Sequence, residues 1–231
     1  MLEVSHLNFA FGKQGLLSDL SFTLAAGSIT GLVAPNGTGK TTLLRCLCGL
    51  LPSGPGVLHL NGIDLYRKRT AYLAQLFFLE NSTQLYADLT VADHLKYVRK
   101  MWHSSVSIQD TVGELEVAGY YRKRIRDLSL GMKQHALLAM YLVADPQLLL
   151  IDEPLNGLDP TSIQQFERIF TQLKAAGKTL LVSSHQMDSV GRVSDDVFFL
   201  KDQHILAEPN TGQDMMAEYS RIFLGQEAAH G

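Results

Sequence analysis

The residues best suited to chemistry in this chain are Ala34-Pro35-Asn36-Gly37-Thr38-Gly39-Lys40-Thr41. The apolar run Ile29-Thr30-Gly31-Leu32-Val33 precedes them, and helical apolar spacing through Leu43, Leu44, Leu47, Leu50 and Leu51 follows. Strand, glycine-containing loop and helix start, in that order, make a phosphate-binding loop. Its backbone N–H groups and the positive end of the helix surround phosphate oxygens. Gly37 and Gly39 let the backbone approach closely, Lys40 reaches the outer phosphates, and Thr41 offers a hydroxyl to Mg²⁺, with Thr42 beside it. Ala34 stands where Gly is commoner and is small enough for the turn. These residues imply a nucleoside triphosphate carried with Mg²⁺.

A second group follows the apolar run Leu148-Leu149-Leu150-Ile151 as Asp152-Glu153. Acids at the carboxyl edge of a buried strand lie where open α/β sheets bind ligands. Asp152 can organise the Mg²⁺ shell, and Glu153 can polarise a water for attack on the γ-phosphate. Alone, the pair would also suit two solvated acids at a strand end; beside a phosphate loop it reads as the other half of a nucleotide site. A guanine-reading Asn-Lys-x-Asp motif is missing from the sequence, which favours ATP over GTP.

Shortly before the acidic strand lies Leu128-Ser129-Leu130-Gly131-Met132-Lys133-Gln134, which resembles the signature motif of the ATP-binding cassette (ABC) ATPases. Leu158-Asp159 resembles their D-loop and His185 their switch histidine; Gln75 is matched to their Q-loop glutamine and Phe11 to the aromatic that stacks on adenine. The motifs run in the family's order from residue 2 to about 206. Taken singly, His185 suits a structural hydrogen bond, Gln75 a surface amide and Phe11 core packing. The resemblance implies a head-to-tail pair of cassettes, in which Ser129 and Gly131 contact the γ-phosphate bound by a second chain. It also implies that His185 holds the γ-phosphate and the attacking water, that Gln75 joins Thr41 and Asp152 around Mg²⁺, and that Asp159 links the two sites. Leu130 and Met132 depart from the commoner Gly and Gln, and His135 stands where Arg is frequent. The SLGMKQ form is similar to cassettes of bacterial exporters of drugs, antibiotics or peptides.

Positioning these residues requires a particular set of elements. Leu2, Val4, Leu7, Phe9 and Phe11 alternate as a strand, as do Leu20, Phe22 and Leu24. Val57–Leu60 and Ile63–Leu65 flank Asn61-Gly62 as a hairpin with a type I′ turn. Helical spacing dominates from Asp88 to Ala144 and returns from Ser162 to Leu173. Continuous apolar runs at 148–151, 179–182 and 197–200 suit strands buried on both faces. The expected fold is α/β: a P-loop NTPase core with a mostly parallel sheet, an N-terminal antiparallel β subdomain and a helical subdomain. The expected divisions are a core over 1–87 and 145–207, a helical subdomain over 88–144, and a tail over 208–231 holding one short helix near Met215 to Phe223.

The 231 residues suffice for one such domain, and a net charge of -3 gives no basic field for nucleic acid. Arg122-Lys123-Arg124 with Arg126 suits a solvated face, or a contact with nucleotide or anionic lipid. Cys46 and Cys48 fit neither a redox nor a zinc spacing and read as small core residues. No apolar stretch approaches a membrane span of about 20 residues, and no secretory leader is evident at the start. A cytoplasmic protein, held on the inner face of the cell membrane by an integral membrane permease on another chain, is the expectation. Its other partner would be a second cassette, identical or different. Phe77, Phe78 and Leu79 suit either a permease helix or packing within the lobe. Two alternatives stand beside transport: an ABC ATPase acting on a soluble assembly or on DNA, and a nucleotide-binding regulatory module without turnover. The former lacks its usual heptad insertion or tandem cassette here; Glu153 and His185 argue against the latter.

Overall fold

The computed structural model describes residues 1–185 and 187–225, whose strands form two sheets. The first contains β1 (Leu2–Phe11), β2 (Gln14–Leu24), β4 (Leu58–Leu60) and β5 (Ile63–Asp64) in the antiparallel order β2-β1-β4-β5. The second contains β3 (Ile29–Val33), β6 (Leu76–Leu79), β7 (Leu148–Asp152), β8 (Thr179–Ser184), β9 (Asp196–Lys201) and β10 (His204–Pro209). Its order is β10-β9-β3-β8-β7-β6, and every neighbouring pair except β9 with β10 is parallel. Helix α1 (Lys40–Leu47) follows β3, and α2 (Arg69–Leu73) precedes β6. The helical lobe holds α3 (Val91–Met101), α4 (Ile108–Glu114) and α5 (Leu130–Ala144). Helices α6 (Pro160–Ala175), α7 (Met187–Gly191) and α8 (Met215–Leu224) complete the chain.

The apolar runs become central strands because each face of the parallel sheet feeds a different core. Ile29, Val33, Leu149, Ile151, Leu180 and Val182 face the core shared with α5 and α6. The alternate residues Leu32, Leu148, Leu150 and Leu181 face the core shared with α1 and the antiparallel sheet. A period of two, with both faces apolar, produces the unbroken runs seen in the sequence. Cys46 and Cys48 lie in the second core, and burial pushes their thiols up to about 12 and about 11.

Three elements differ from the sequence expectations. Helix α1 ends at Leu47, because Gly49 takes φ 69° and turns the chain, so Leu50 is exposed instead of extending an apolar face. The run Leu76–Leu79 is a strand at the edge of the parallel sheet; Phe77 is buried against Trp102 and Tyr141, both with ring centroids at 4.7 Å. Packing therefore claims Phe77, while Phe78 and Leu79 are half-buried. Strand β10 runs to Pro209, past the expected tail boundary at 208. The Asn61-Gly62 hairpin has the expected positive φ values of 49° and 74°, and α8 occupies the expected short helix. Arg126 pairs with Asp88 at 2.7 Å, while Arg122, Lys123 and Arg124 lie exposed on the lobe.

Candidate functional site

The loop after β3 turns sharply through Gly37 (φ 83°) and Gly39 (φ 111°), conformations that side chains with a Cβ rarely adopt. Gly39 accepts the first helical bond of α1, from Leu43 N–H at 2.8 Å, and Ala34 N–H donates to Ser184 O at 3.3 Å. Lys40 is buried, and its Nζ donates to Ala34 O at 2.7 Å and Pro35 O at 3.3 Å. The loop opens on a cleft of about 200 Å³, lined by Asn36, Gly37, Lys40, Thr41 and Glu153, together with Leu16 of β2.

Asp152 and Glu153 enter this cleft from the end of β7. Asp152 accepts from Thr41 Oγ1 at 2.6 Å and from Ser183 Oγ. Burial pushes its carboxyl above the usual carboxylate range; the two hydroxyl bonds oppose that, and the charges of Glu153 and Glu80 reinforce it. Thr41 Oγ1 and an Asp152 carboxylate form a hard oxygen set of the kind Mg²⁺ takes. Glu153 sits at φ 47°, in the left-handed region, held by its N–H to Ser183 Oγ at 3.0 Å. Its Oε2 accepts from His185 N–H at 3.3 Å and lies 2.9 Å from His185 Nδ1. Its buried Oε1 accepts no hydrogen bond among the described residues, yet lies 3.2 Å from Lys40 Nζ. That contact is an ion pair without hydrogen-bond alignment. One carboxylate thus sits between the phosphate-loop lysine and the histidine after β8.

Gln75 does not belong to this group. Parallel pairing sets Leu76 opposite Leu148 and Leu79 opposite Ile151, so Gln75 lies before the start of β6 while Asp152 ends β7. The strand between puts about 13 Å between Gln75 and the phosphate edge. Its side chain accepts from Asn61 at 2.7 Å and donates to Ala71 O at 3.1 Å, which is the role of a surface amide. Glu80 and Asn81 occupy the phosphate edge after β6 instead. Arg45 holds Glu80 through Nε at 2.8 Å and Nη2 at 2.6 Å, and Asn81 accepts from Thr83 N–H at 3.0 Å. The signal that points to them is Leu76-Phe77-Phe78-Leu79 followed by polar residues, the same pattern as Leu148–Asp152.

The signature residues form a different cleft. Ser129 caps α5, its Oγ accepting from Met132 N–H at 3.3 Å. Asp159 caps α6, accepting from Thr161 and Ser162 N–H at 3.0 Å each and from Ser162 Oγ at 2.8 Å; these bonds hold its carboxyl below the usual range. The cleft they border has about 400 Å³ and is lined by Ser129, Gly131, Met132, His135, Asp159 and Gln165 among others. Among the described residues it shares none with the phosphate cleft. Leu130 leans over Gly157, where an added Cβ would meet Leu130 Cδ2 at 2.6 Å. Phe11 is 52% exposed beside Gly12 at the hairpin tip, edge-on to Phe9 at 4.9 Å, so the core-packing alternative does not hold. The structure therefore groups Lys40, Thr41, Asp152, Glu153 and His185, and sets Ser129, Gly131 and Asp159 apart from them.

The chain is similar to known proteins over most of its length. Residues 17–156 match the family model described as ABC transporter. A lantibiotic transport ATP-binding protein of Streptococcus pyogenes is 30% identical over 209 residues, covering 90% of both chains. A Nod factor export ATP-binding protein of Rhizobium meliloti is 32% identical over 212 residues, which are 90% of this chain and 63% of the relative. A solved ATP-binding subunit of an ABC transporter superposes with a TM-score of 0.87 at 24% identity, over 96% of this chain and 99% of the other.

Proposed function

Because the chain belongs to the ABC transporter family, as an ATP-binding subunit whose hydrolysis of ATP powers transport, we propose the following division of work among its residues. The loop from Ala34 to Thr42, with Pro35, Asn36, Gly37, Thr38, Gly39, Lys40 and Thr41, binds the phosphates of ATP, and Phe11 stacks on the adenine. Thr41 and Asp152 hold Mg²⁺, which screens the phosphate charge when bound. Glu153 accepts the proton of the attacking water, and His185 orients Glu153 and the γ-phosphate. Lys40 must exchange its contact with Glu153 for the phosphates, which frees Glu153 for the water.

The separation of the two clefts carries the rest of the proposal. In one chain, Ser129, Gly131 and Asp159 border a cleft distinct from the phosphate loop, as a head-to-tail pair requires. The α5 N-terminus at Ser129 and Gly131 would face the γ-phosphate held by a second cassette. Closing on ATP and reopening after hydrolysis supply the two states that move a partner. Mixing two inactive variants, Lys40→Ala and Ser129→Arg, tests this directly. A mixed pair rebuilds one intact site, so hydrolysis should return; mixtures as inactive as their components refute pairing with a second copy.

The permease would dock in a groove of about 810 Å³ between the β6 edge and α3, lined by Phe78, Leu79, Tyr86, Leu89, Tyr97 and Trp102. Tyr86, Leu89 and Tyr97 are exposed there, an apolar surface suited to a helix of the permease. No helix among the described residues is long and apolar enough to cross a membrane, so membrane attachment would be peripheral, on the inner face, through that groove. The core over 1–87 and 145–207 and the helical subdomain over 88–144 would then move as two parts. Export is the direction favoured, by the SLGMKQ motif and by the names of the similar lantibiotic and Nod factor proteins.

A further inference from the structure

The signature cleft holds one group whose partners do not match its neutral form. His135 lies one turn after Gly131 on α5, its ring edge-on to Phe166 at 5.1 Å. Its Nδ1 is 2.9 Å from Gly131 O, and its Nε2 is 3.1 Å from Gln165 Oε1 on α6. The Gln165 amide is oriented from its other end, where Nε2–H donates to Glu114 O at 3.0 Å, at the end of α4. Both ring nitrogens therefore face oxygen acceptors, whereas a neutral imidazole carries one N–H. Turning the amide over would give the neutral ring a donor, but would aim Oε1 at Glu114 O and break that bond. Only the imidazolium makes all three bonds at once.

We propose that His135 is a positioning residue for the signature turn: as an imidazolium it ties Gly131 on α5 to Gln165 on α6 and, through that amide, to Glu114 on α4. On deprotonation one of these links is released, and the turn bearing Ser129 and Gly131 loses its brace against the core helix. Charged groups from several elements border the ring's cleft. Glu116, from the turn after α4, and Asp159, from the cap of α6, line the same cleft, and no lysine or arginine does so among the described residues. Tyr120 also lines it, with its hydroxyl pushed up to about 12 by burial. Lys133 on the same helix and the positive end of α5 contribute charge of the other sign. An incoming phosphate at Ser129 and Gly131 would reinforce the cation, so the brace is strongest when the composite site is filled. The functional consequence rests on the proposed phosphate-facing role of Ser129 and Gly131; the ring's bonding does not.

The experiment has two arms on the full chain, from pH 5.5 to 8.5. In the first, NMR of ¹⁵N-labelled nucleotide-free protein follows the His135 ring nitrogens and the Gln165 side-chain amide. The expected result is a shift of the amide with the same midpoint as the ring; an amide that ignores the ring's titration overturns the proposal. In the second, ATPase activity is measured for wild type, His135→Arg and Gln165→Leu. Relative to His135→Arg, which keeps its cation throughout, wild type should fall by about fivefold toward alkaline pH, the size of one lost hydrogen bond. Gln165→Leu, with no acceptor for the cation, should lack that limb. Parallel profiles for all three alongside a coupled titration would overturn the positioning role, and would trace the failure to the reading of Ser129 and Gly131 rather than to the ring.

Discussion

Glu153 sets its negative charge against Lys40, the lysine proposed to meet the outer phosphates of ATP. Lys40 Nζ and Glu153 Oε1 are 3.2 Å apart, with the lysine 6% and the glutamate 20% exposed. At an effective dielectric of about 20, two unit charges at that distance attract by about 5 kcal/mol. Desolvation of both groups cancels most of this, leaving a net pair worth about 1–2 kcal/mol in such surroundings. Any nucleotide that recruits Lys40 must displace or share that pair. Glu153→Gln removes the competing charge and sets an uncharged amide against the lysine, so nucleotide phosphates meet less competition. The affinity for ADP should rise by about tenfold, since about 1.4 kcal/mol is a factor of ten. ADP is the informative ligand because it has no γ-phosphate and is not hydrolysed, so trapping of an unreacted substrate cannot contribute. Isothermal titration of Mg-ADP into wild type and Glu153→Gln measures it. An unchanged or weakened ADP affinity in Glu153→Gln would refute the exchange of Glu153 for phosphate on Lys40.

Three other substitutions have defined outcomes. Asp152 has its carboxyl raised by burial, so the folded protein binds that proton more tightly than the unfolded chain does. Its stabilising contribution is then complete below the unfolded pKa and is lost as pH rises through the folded one. At neutral pH Asp152→Asn should therefore raise the nucleotide-free Tm by about 2–4 °C, about 1 kcal/mol in a chain of this size, while abolishing Mg-dependent hydrolysis; a lowered Tm contradicts this. Tyr141 is buried, donates to Leu150 O at 2.6 Å and accepts from Leu79 N–H at 3.1 Å, joining β6 to β7. Tyr141→Phe leaves both backbone groups without that partner and should cost about 2 kcal/mol in urea unfolding. Gln75→Ala should leave ATP hydrolysis within about twofold of wild type, since a surface amide bond contributes at most about 1 kcal/mol. A loss of activity as large as that of Glu153→Gln would restore Gln75 to the site.

Gln75 also shows where sequence reasoning reached its limit. A parallel sheet with a ligand at its carboxyl edge places the residues its strands contribute at or just after their carboxyl ends, not before their starts. That rule was legible at β3, where Ala34 follows Val33, at β7, where Asp152 and Glu153 end the run, and at β8, where His185 follows Ser184. Each of these strands is a continuous apolar run, because both of its faces feed a core. Strand β6 has only four residues at the sheet edge, and it follows helix α2 with no loop long enough to mark a boundary. Read without its strand, Gln75 passes for the Q-loop glutamine; with the strand in place it lies at a beginning, and Glu80 and Asn81 take the edge. The signature departures were illegible for a different reason, since their compensation lies elsewhere in the chain. Leu130 fits because Gly157, at φ 74°, has no side chain to collide with it, which joins the signature turn to the loop before Asp159 within one chain. Likewise His135 gains its meaning from Gln165, 30 residues away on another helix. Spacing along the chain can reveal a residue whose partner is a phosphate held by backbone, but not one whose partner is a side chain brought near by folding.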